Sequence, residues 1–234
     1  MLLTLPIREI LPVTPRAHVV RLDLQGHPFP FEAGQALLVS TRGYAPRRPY
    51  SIASAPADVS RDGWIELLIG VDRDGRPGPH LTLEPDGWVD VEGPVGRFTF
   101  PAAPSVERFL FIAGGTGIAP LRAMLRHALG RGHSHLSVLY TARTPQDFAF
   151  EQELRRLAAA GTIELQLTVT RETQAGVEAW SGARGRIGVG LLAPLVRDPA
   201  TLCFICGPRA LVDEIPGLLG QLGVSRSEIR IEEW

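Results

Sequence analysis

Ala113-Gly114-Gly115-Thr116-Gly117-Ile118-Ala119-Pro120 is the stretch that decides how the second half of the chain folds. An apolar run, residues 108–112, precedes it, and a helix-like run, residues 121–126, follows it. Glycines allow a tight turn and a close approach to an anion. The first turn of a helix offers N–H groups and a positive dipole end, and proline suits a helix start. Strand, glycine turn and helix in this order predict a phosphate-binding loop, although such turns also occur without a ligand.

The rest of the second half alternates apolar strands with helical patterns, which predicts a doubly wound α/β domain around a parallel five-stranded sheet. The predicted strands are Phe109–Ala113, Leu136–Thr141, Ile163–Thr170, Leu202–Cys206 and Ile229–Glu232. The predicted helices cover residues 118–130, 148–160, 187–197 and 209–222.

The first half contains short strands separated by Gly, Pro and Asp clusters, which predicts a small antiparallel β-barrel. Its predicted strands are Ile7–Val13, Ala17–Leu24, Ala36–Thr41, Arg48–Ala53, Trp64–Val71 and Trp88–Glu92. The sequence Pro101-Ala102-Ala103-Pro104 has the composition of a linker. We therefore expect an α+β two-domain protein, with a barrel domain at 1–102 and an α/β domain at 103–234.

Composition narrows the functional classes. The 234 residues are 44% hydrophobic and carry a net charge of −1, which argues against nucleic acid or an anionic membrane as the main partner. No stretch is long and apolar enough for a membrane span, and the N-terminus lacks a signal-peptide pattern, so a cytoplasmic location is expected. Cys203 and Cys206 are too few for an iron–sulfur cluster, and no metal site is predicted.

Three further segments carry chemically useful side chains. Arg48-Pro49-Tyr50-Ser51 offers a guanidinium for a pyrophosphate, an aromatic face for a flat heterocycle and a hydroxyl for a ring nitrogen. Cys206-Gly207-Pro208 ends a predicted parallel strand, where ligands bind in open α/β sheets. The chain ends in Glu232-Glu233-Trp234. Taken singly, each segment also fits a structural role: an edge strand, a buried cysteine and an aromatic plug.

In this order along the chain, the four segments resemble the ferredoxin–NADP reductase family of flavoproteins, and the resemblance covers essentially the whole chain. It implies that the barrel binds FAD. Arg48, with Pro49 beside it, would hold the phosphates, Tyr50 would stack on the isoalloxazine ring, and Ser51 would contact the ring near N5. A second phosphate contact is expected at 78–82, with His80, Leu81 and Thr82 as its candidate residues. The family's small hydroxyl residue is displaced here or replaced by His80, which leaves FMN as an alternative.

The resemblance also assigns the nucleotide side. The pyrophosphate of a pyridine nucleotide would lie on the glycine loop, at the residues Gly114, Gly115, Thr116, Gly117 and Pro120. Cys206, with Gly207 and Pro208, would lie beside the nicotinamide. Glu232 would relay protons or stabilise the one-electron-reduced flavin. Trp234 would cover the flavin until nicotinamide displaces it.

NADPH is favoured over NADH because its 2′-phosphate suits arginine forks. Thr170-Arg171 and Arg186 match the positions that NADPH-using members fill, and Arg143 is a further candidate ligand. NADH-using relatives share the Trp-x-Gly-x-x-Gly pattern of residues 180–185, so the donor stays open at this point.

The function that the resemblance implies is hydride transfer from NAD(P)H to FAD, followed by single-electron transfer to ferredoxin, flavodoxin or an oxygenase component. Such carriers are acidic, so a basic rim is expected. Its candidate residues are Arg42, Arg47, Arg73 and Arg76. The alternatives are an electron-entry subunit of a larger redox complex and a free-flavin reductase.

Overall fold

The computed structural model describes residues 1–171 and 180–233. Their contacts divide the chain into two compact units. The first comprises Met1–Phe100 and Arg122–Gly130, and the second comprises Pro101–Leu121 and the chain from Arg131 onward. Within the described ranges, every helix is too short or too polar to cross a bilayer.

The first unit is built on six antiparallel strands. They are β1 (Leu2–Thr14), β2 (Ala17–Asp23), β3 (Ala36–Thr41), β4 (Arg48–Ser51), β5 (Trp64–Gly70) and β6 (Trp88–Val95). Their order is β4-β3-β6-β1-β2-β5, and a bridge from Ile52 to Leu67 brings the two edges together as a barrel. The predicted antiparallel barrel is confirmed. β1 begins five residues earlier than expected, and the helix α1 (Pro56–Asp62) was not predicted.

Alternating side chains explain the barrel interior. Along β2 the buried positions include Val20 and Leu22, while Arg21 between them turns outward to charged partners. Successive residues of a strand point to opposite faces, so one face of each strand fills the core. Leu5, Leu37 and the other inward aliphatic residues form one cluster with almost no exposure.

A chain of charges joins the barrel strands to the part of α2 (Ile118–Gly130) that belongs to the first unit. Arg122 is 7% exposed and donates to Glu66 at 2.7 Å and to the carbonyl of Ala53 at 2.9 Å. The other oxygen of Glu66 accepts from Arg21 at 3.0 Å, and Arg21 also donates to Glu9 at 2.6 Å. Burial alone would raise the pKa of Glu66, but the two arginines outweigh it and hold that pKa below its usual value.

The second unit is a parallel sheet flanked by helices. Its strands are β7 (Arg108–Gly114), β8 (His135–Ala142), β9 (Glu164–Val169), β10 (Ala183–Arg184), β11 (Leu202–Gly207) and β12 (Ile229–Glu233). Their order is β10-β9-β8-β7-β11-β12. The helices beside α2 are α3 (Glu151–Ala159), α4 (Val189–Leu192) and α5 (Arg209–Gln221). The doubly wound prediction is confirmed. The two-residue β10 is a sixth strand beyond the five expected.

The central strands β7 and β11 are apolar along nearly their whole length because the parallel sheet is covered on both faces. Phe111 and Phe204 are register neighbours, and their rings stack with centroids 5.5 Å apart. The carboxyl ends of these strands carry glycines that the packing requires. A Cβ on Gly117 would clash with the carbonyl of Cys206, and one on Gly114 would lie 2.9 Å from the ring of Pro208.

The buried ion pair predicts a pH-dependent loss of stability in the Glu66→Gln variant. Near neutral pH the variant should lose about 3 kcal/mol of unfolding free energy, because the buried guanidinium of Arg122 loses the charge of Glu66. The depressed pKa of Glu66 means that its contribution is present above the unfolded value, about 4.5, and is lost as the pH falls through the lower folded value. The difference between wild type and variant should therefore shrink in acid.

Urea denaturation from pH 7 to pH 3 measures this difference. Glu9→Gln is the matched control, since it also removes a partner of Arg21 but from a side chain that is 42% exposed. It should cost less than about 1 kcal/mol. Equal losses in the two variants, or a Glu66→Gln deficit that stays constant with pH, would contradict the assignment.

The close approach at Gly117 predicts that Gly117→Ala destabilises the second unit by about 2 kcal/mol or more, because backbone atoms of Cys206 and Gly207 stand where the methyl group would lie. Gly220→Ala in α5 is the control, since an added Cβ there meets nothing within 4 Å. That substitution should stabilise the helix by up to about 1 kcal/mol. Thermal unfolding compares the two, and a Gly117→Ala protein as stable as wild type would refute the packing argument.

Candidate functional site

The barrel presents its candidate ligands along β4. Arg48 and Pro49 are exposed, Tyr50 is half-buried and Ser51 is buried. Arg48 forms no ion pair with any carboxylate in the described ranges. An exposed arginine without an acidic partner is suited to holding an anionic group such as a phosphate.

Tyr50 and His80 form a joined aromatic pair beside Arg48. The phenol oxygen of Tyr50 is hydrogen-bonded to Nε2 of His80 at 2.9 Å, and the two rings stack with centroids 5.9 Å apart at 24°. Burial, and next the charge of Arg48, lower the pKa of His80, which favours the neutral imidazole near pH 7. Burial raises the pKa of Tyr50, so its phenol stays protonated. The pair therefore adds no charge that would oppose a bound phosphate.

The turn at 78–82 is held by its backbone. Leu81 donates its N–H to the carbonyl of Gly78 at 3.1 Å and is itself buried. Thr82 is exposed, and its N–H donates to the hydroxyl of Thr41 at 2.7 Å. Within this turn, His80 is the side chain that reaches Tyr50. The turn thus offers an imidazole where the family resemblance implies a small hydroxyl residue.

The glycine loop forms a short 3₁₀ turn, Gly115–Gly117, that leads directly into α2. Gly115 has a φ of +55°, a left-handed conformation that favours glycine, and a Cβ there would meet only open space. Gly115 and Thr116 are exposed, whereas Gly114, Gly117 and Pro120 are buried. The exposed turn at the start of a thirteen-residue helix fits the pyrophosphate of a nucleotide.

The ends of β11 and β12 bring Cys206 and Glu232 side by side. The two residues are register partners in neighbouring parallel strands, and Gly207 pairs with Glu233 one step further. Cys206 is fully buried, Glu232 is partly exposed, and Pro208 is exposed ahead of α5. The predicted Trp234 lies outside the described residues. Cys206 and Glu232 are thus placed together at the edge where such sheets bind ligands.

An arginine-rich edge follows β8 and β9. The N–H of Arg171 donates to the carbonyl of Arg143 at 3.0 Å, and the N–H of Thr170 donates to that of Ala142 at 2.9 Å. Arg143, Thr170, Arg171 and Arg186 are all exposed. Among the described carboxylates, Arg186 has only a distant neighbour, Glu214, at 4.0 Å. This edge can offer several guanidinium groups to a phosphate dianion.

Thr168 belongs to the same edge of the sheet, although the sequence does not mark it as a candidate residue. Its hydroxyl donates to the carbonyl of Gly185 at 2.8 Å, and the N–H of Gly185 donates to Val169 at 2.8 Å. Gly185 has a φ of +91°, so the turn that carries Arg186 is fixed against the end of β9. A threonine inside an apolar strand is a weak signal, because β-branched residues favour strands whatever their contacts.

Two family models match the chain, one for each unit. The oxidoreductase FAD-binding domain matches residues 5–100, and the oxidoreductase NAD-binding domain matches residues 111–216. The first range contains Arg48, Tyr50 and His80, and the second contains the glycine loop and Cys206.

Relatives that match most of this chain point the same way. Ferredoxin–NADP reductase B of Sorangium cellulosum is 36% identical over 97% of this chain and 94% of its own length. The glycine betaine monooxygenase reductase subunit of Chromohalobacter salexigens is 29% identical over 88% of this chain and 56% of its own length. A ferredoxin NADP⁺ reductase structure from Neisseria gonorrhoeae, with bound FAD and NADP, superposes with a TM-score of 0.79 at 18% identity, covering 99% of this chain and 98% of that one. The chain therefore belongs to the ferredoxin–NADP reductase-like family of oxidoreductases, which use FAD and a nicotinamide nucleotide.

Proposed function

We propose that this enzyme oxidises NADPH and passes the electrons singly to a separate carrier protein. The choice of NADPH rests on the arginine-rich edge after β8 and β9, where Arg143, Arg171 and Arg186 are exposed. A 2′-phosphate dianion is the group that distinguishes NADPH from NADH, and arginine forks bind it bidentately. The ferredoxin–NADP reductase relative supports the same donor.

In this proposal residues 1–102 bind FAD. Arg48 holds the phosphates, Pro49 fixes the strand beside it, and Tyr50 offers its ring face to the isoalloxazine, with Ser51 near N5. His80 holds the phenol of Tyr50 in place through the 2.9 Å hydrogen bond, and Leu81 and Thr82 complete the turn. When bound, FAD takes up a hydride and gives up its two electrons one at a time.

Residues 103–234 bind the nucleotide. The first-turn N–H groups after Gly114 bind the pyrophosphate, and Cys206, Gly207 and Pro208 line the position of the nicotinamide. Glu232, the register neighbour of Cys206, holds or moves a proton at its carboxylate. The terminal Trp234 is proposed as a cover over the flavin.

The carrier is proposed to be acidic. Arg42, Arg73 and Arg76 are exposed and form no ion pair with the described carboxylates, so they can meet an acidic surface. Arg47 is less available because it lies 3.4 Å from Glu92. The related proteins include a ferredoxin–NADP reductase and a monooxygenase reductase subunit, which supports ferredoxin, flavodoxin or an oxygenase component as the acceptor. An electron-entry subunit and a free-flavin reductase are the alternatives.

The visible spectrum of the purified protein tests the proposed function. We expect flavin absorption that bleaches on anaerobic addition of NADPH and needs a higher concentration of NADH for the same bleaching. FAD that stays bound through gel filtration would count against a free-flavin reductase. A colourless protein that takes up no added FAD would overturn the proposal.

The donor preference predicts the effect of removing the exposed arginines. Arg171→Ala and Arg186→Ala should each lower the ratio of kcat/KM for NADPH to that for NADH by about tenfold or more, since a charged hydrogen bond contributes roughly 1.5–3 kcal/mol. The rate with NADH should stay nearly unchanged. Arg131→Ala is the control, because Arg131 is also exposed but precedes β8 at the opposite edge of the sheet. An unchanged ratio in both variants would refute the assignment of the 2′-phosphate.

A further inference from the structure

A buried tyrosine contacts the glycine loop from beneath. Tyr140 lies on β8 next to Ala113 in the register and has no exposed surface. Its phenol oxygen lies 2.9 Å from the carbonyl oxygen of Gly115 and 3.2 Å from the backbone nitrogen of Ala149. One hydroxyl therefore connects the loop to the segment just before α3.

The direction of both hydrogen bonds is fixed by chemistry. The N–H of Ala149 can only donate, so it uses a lone pair of the phenol oxygen, and the single phenol proton must go to the carbonyl of Gly115. Burial raises the pKa of Tyr140 well above its usual value, so the proton remains at every working pH. Phe148 packs edge-on against the Tyr140 ring at 5.0 Å and itself stacks on Trp180 at 5.4 Å, which holds the phenol in position.

This bond, together with the hydrogen bond that the same carbonyl accepts from the N–H of Ile118, sets the orientation of the next peptide N–H. In a planar trans peptide the carbonyl of one residue and the N–H of the next point in opposite directions. With the carbonyl of Gly115 turned inward to Tyr140, the N–H of Thr116 is turned outward, at a residue whose surface is exposed. Thr116 lies in the 3₁₀ turn that leads into α2, where outward N–H groups can receive an anion.

We propose that Tyr140 is a positioning residue for nucleotide binding, whose buried hydroxyl fixes the peptide between Gly115 and Thr116 so that the Thr116 N–H meets the pyrophosphate. This inference rests on the proposed function, because it takes the pyrophosphate of NAD(P)H to be the ligand of the loop. Tyr140 does not touch the ligand, so its effect is on affinity. Because the pyrophosphate is common to both nucleotides, that effect is the same for NADPH and NADH.

Tyr140→Phe removes the hydroxyl and keeps the ring in place. We expect the KM for NADPH and for NADH to rise by about tenfold each, the worth of one oriented hydrogen bond, with kcat changed less than about twofold. The dissociation constant of NADP⁺, measured by calorimetry, should rise to the same extent. In the protein without nucleotide, the amide resonance of Thr116, followed by NMR, should shift and broaden, because its peptide is no longer held in one orientation.

Thr201→Val is the matched control. Thr201 is 1% exposed, and its hydroxyl donates to the carbonyl of Asp198 at 2.6 Å, just before the amino end of β11. The Thr201→Val variant loses a buried hydrogen bond from a hydroxyl to a carbonyl in the same unit, at the edge of the sheet opposite the glycine loop. The control should lower the melting temperature as Tyr140→Phe does, yet leave KM and the amide resonance of Thr116 unchanged.

The outcomes distinguish a positioning role of Tyr140 from a general loss of stability. Unchanged nucleotide affinity in Tyr140→Phe, or an equal loss in Thr201→Val, would overturn the role of Tyr140. A change in the NADPH to NADH ratio would also contradict it. If the wild-type protein binds neither nucleotide, the proposed function fails, and the amide resonance of Thr116 in Tyr140→Phe alone then decides whether Tyr140 fixes the loop.

Discussion

The architecture of the second unit depends on the close approach of two strand ends. The backbone of the glycine loop lies against the last residues of β11, so a Cβ on Gly117 would clash with Cys206, and one on Gly207 would lie 3.1 Å from the nitrogen of Gly114. These glycines serve packing, whereas Gly115 serves conformation through its positive φ. Because the two strand ends are this close, the loop that suits a pyrophosphate and the cysteine assigned to the nicotinamide share one edge of the sheet.

In the second unit, single hydroxyl groups hold the turns that carry the proposed ligands. Tyr140 fixes the carbonyl of Gly115, and Thr168 fixes the carbonyl of Gly185. Both glycines have positive φ, and each precedes a residue assigned to a phosphate. In the barrel, the side chain of His80 performs a comparable task for Tyr50. The proposed ligands are therefore held by polar groups whose hydrogen-bond partners are defined, which limits the rearrangement that binding requires.

Much of the fold could be predicted because its signals are local. The clusters of Gly, Pro and Asp located all six barrel strands between them, and the sequence predicts the helix after the glycine loop at 118–130, the range that it occupies. β10 was missed because two residues are too few for a pattern, and it pairs only because Gly185 turns back on β9. Tyr140, Thr168 and the pair of Arg122 with Glu66 could not be predicted, since their partners are distant in sequence and their side chains resemble ordinary strand or helix residues. The ligand roles of the exposed residues came from the family resemblance and stay predictions.

Hydride transfer from a nicotinamide nucleotide to a flavin can be followed directly by anaerobic stopped-flow spectroscopy, with NADPH and with NADPH deuterated at C4 of the nicotinamide. The flavin absorbance should bleach in a single turnover. The deuterated nucleotide should slow this phase, because the labelled bond at C4 is the one that breaks. A flavin absorbance that stays unchanged in excess NADPH would contradict hydride transfer from this nucleotide to the flavin.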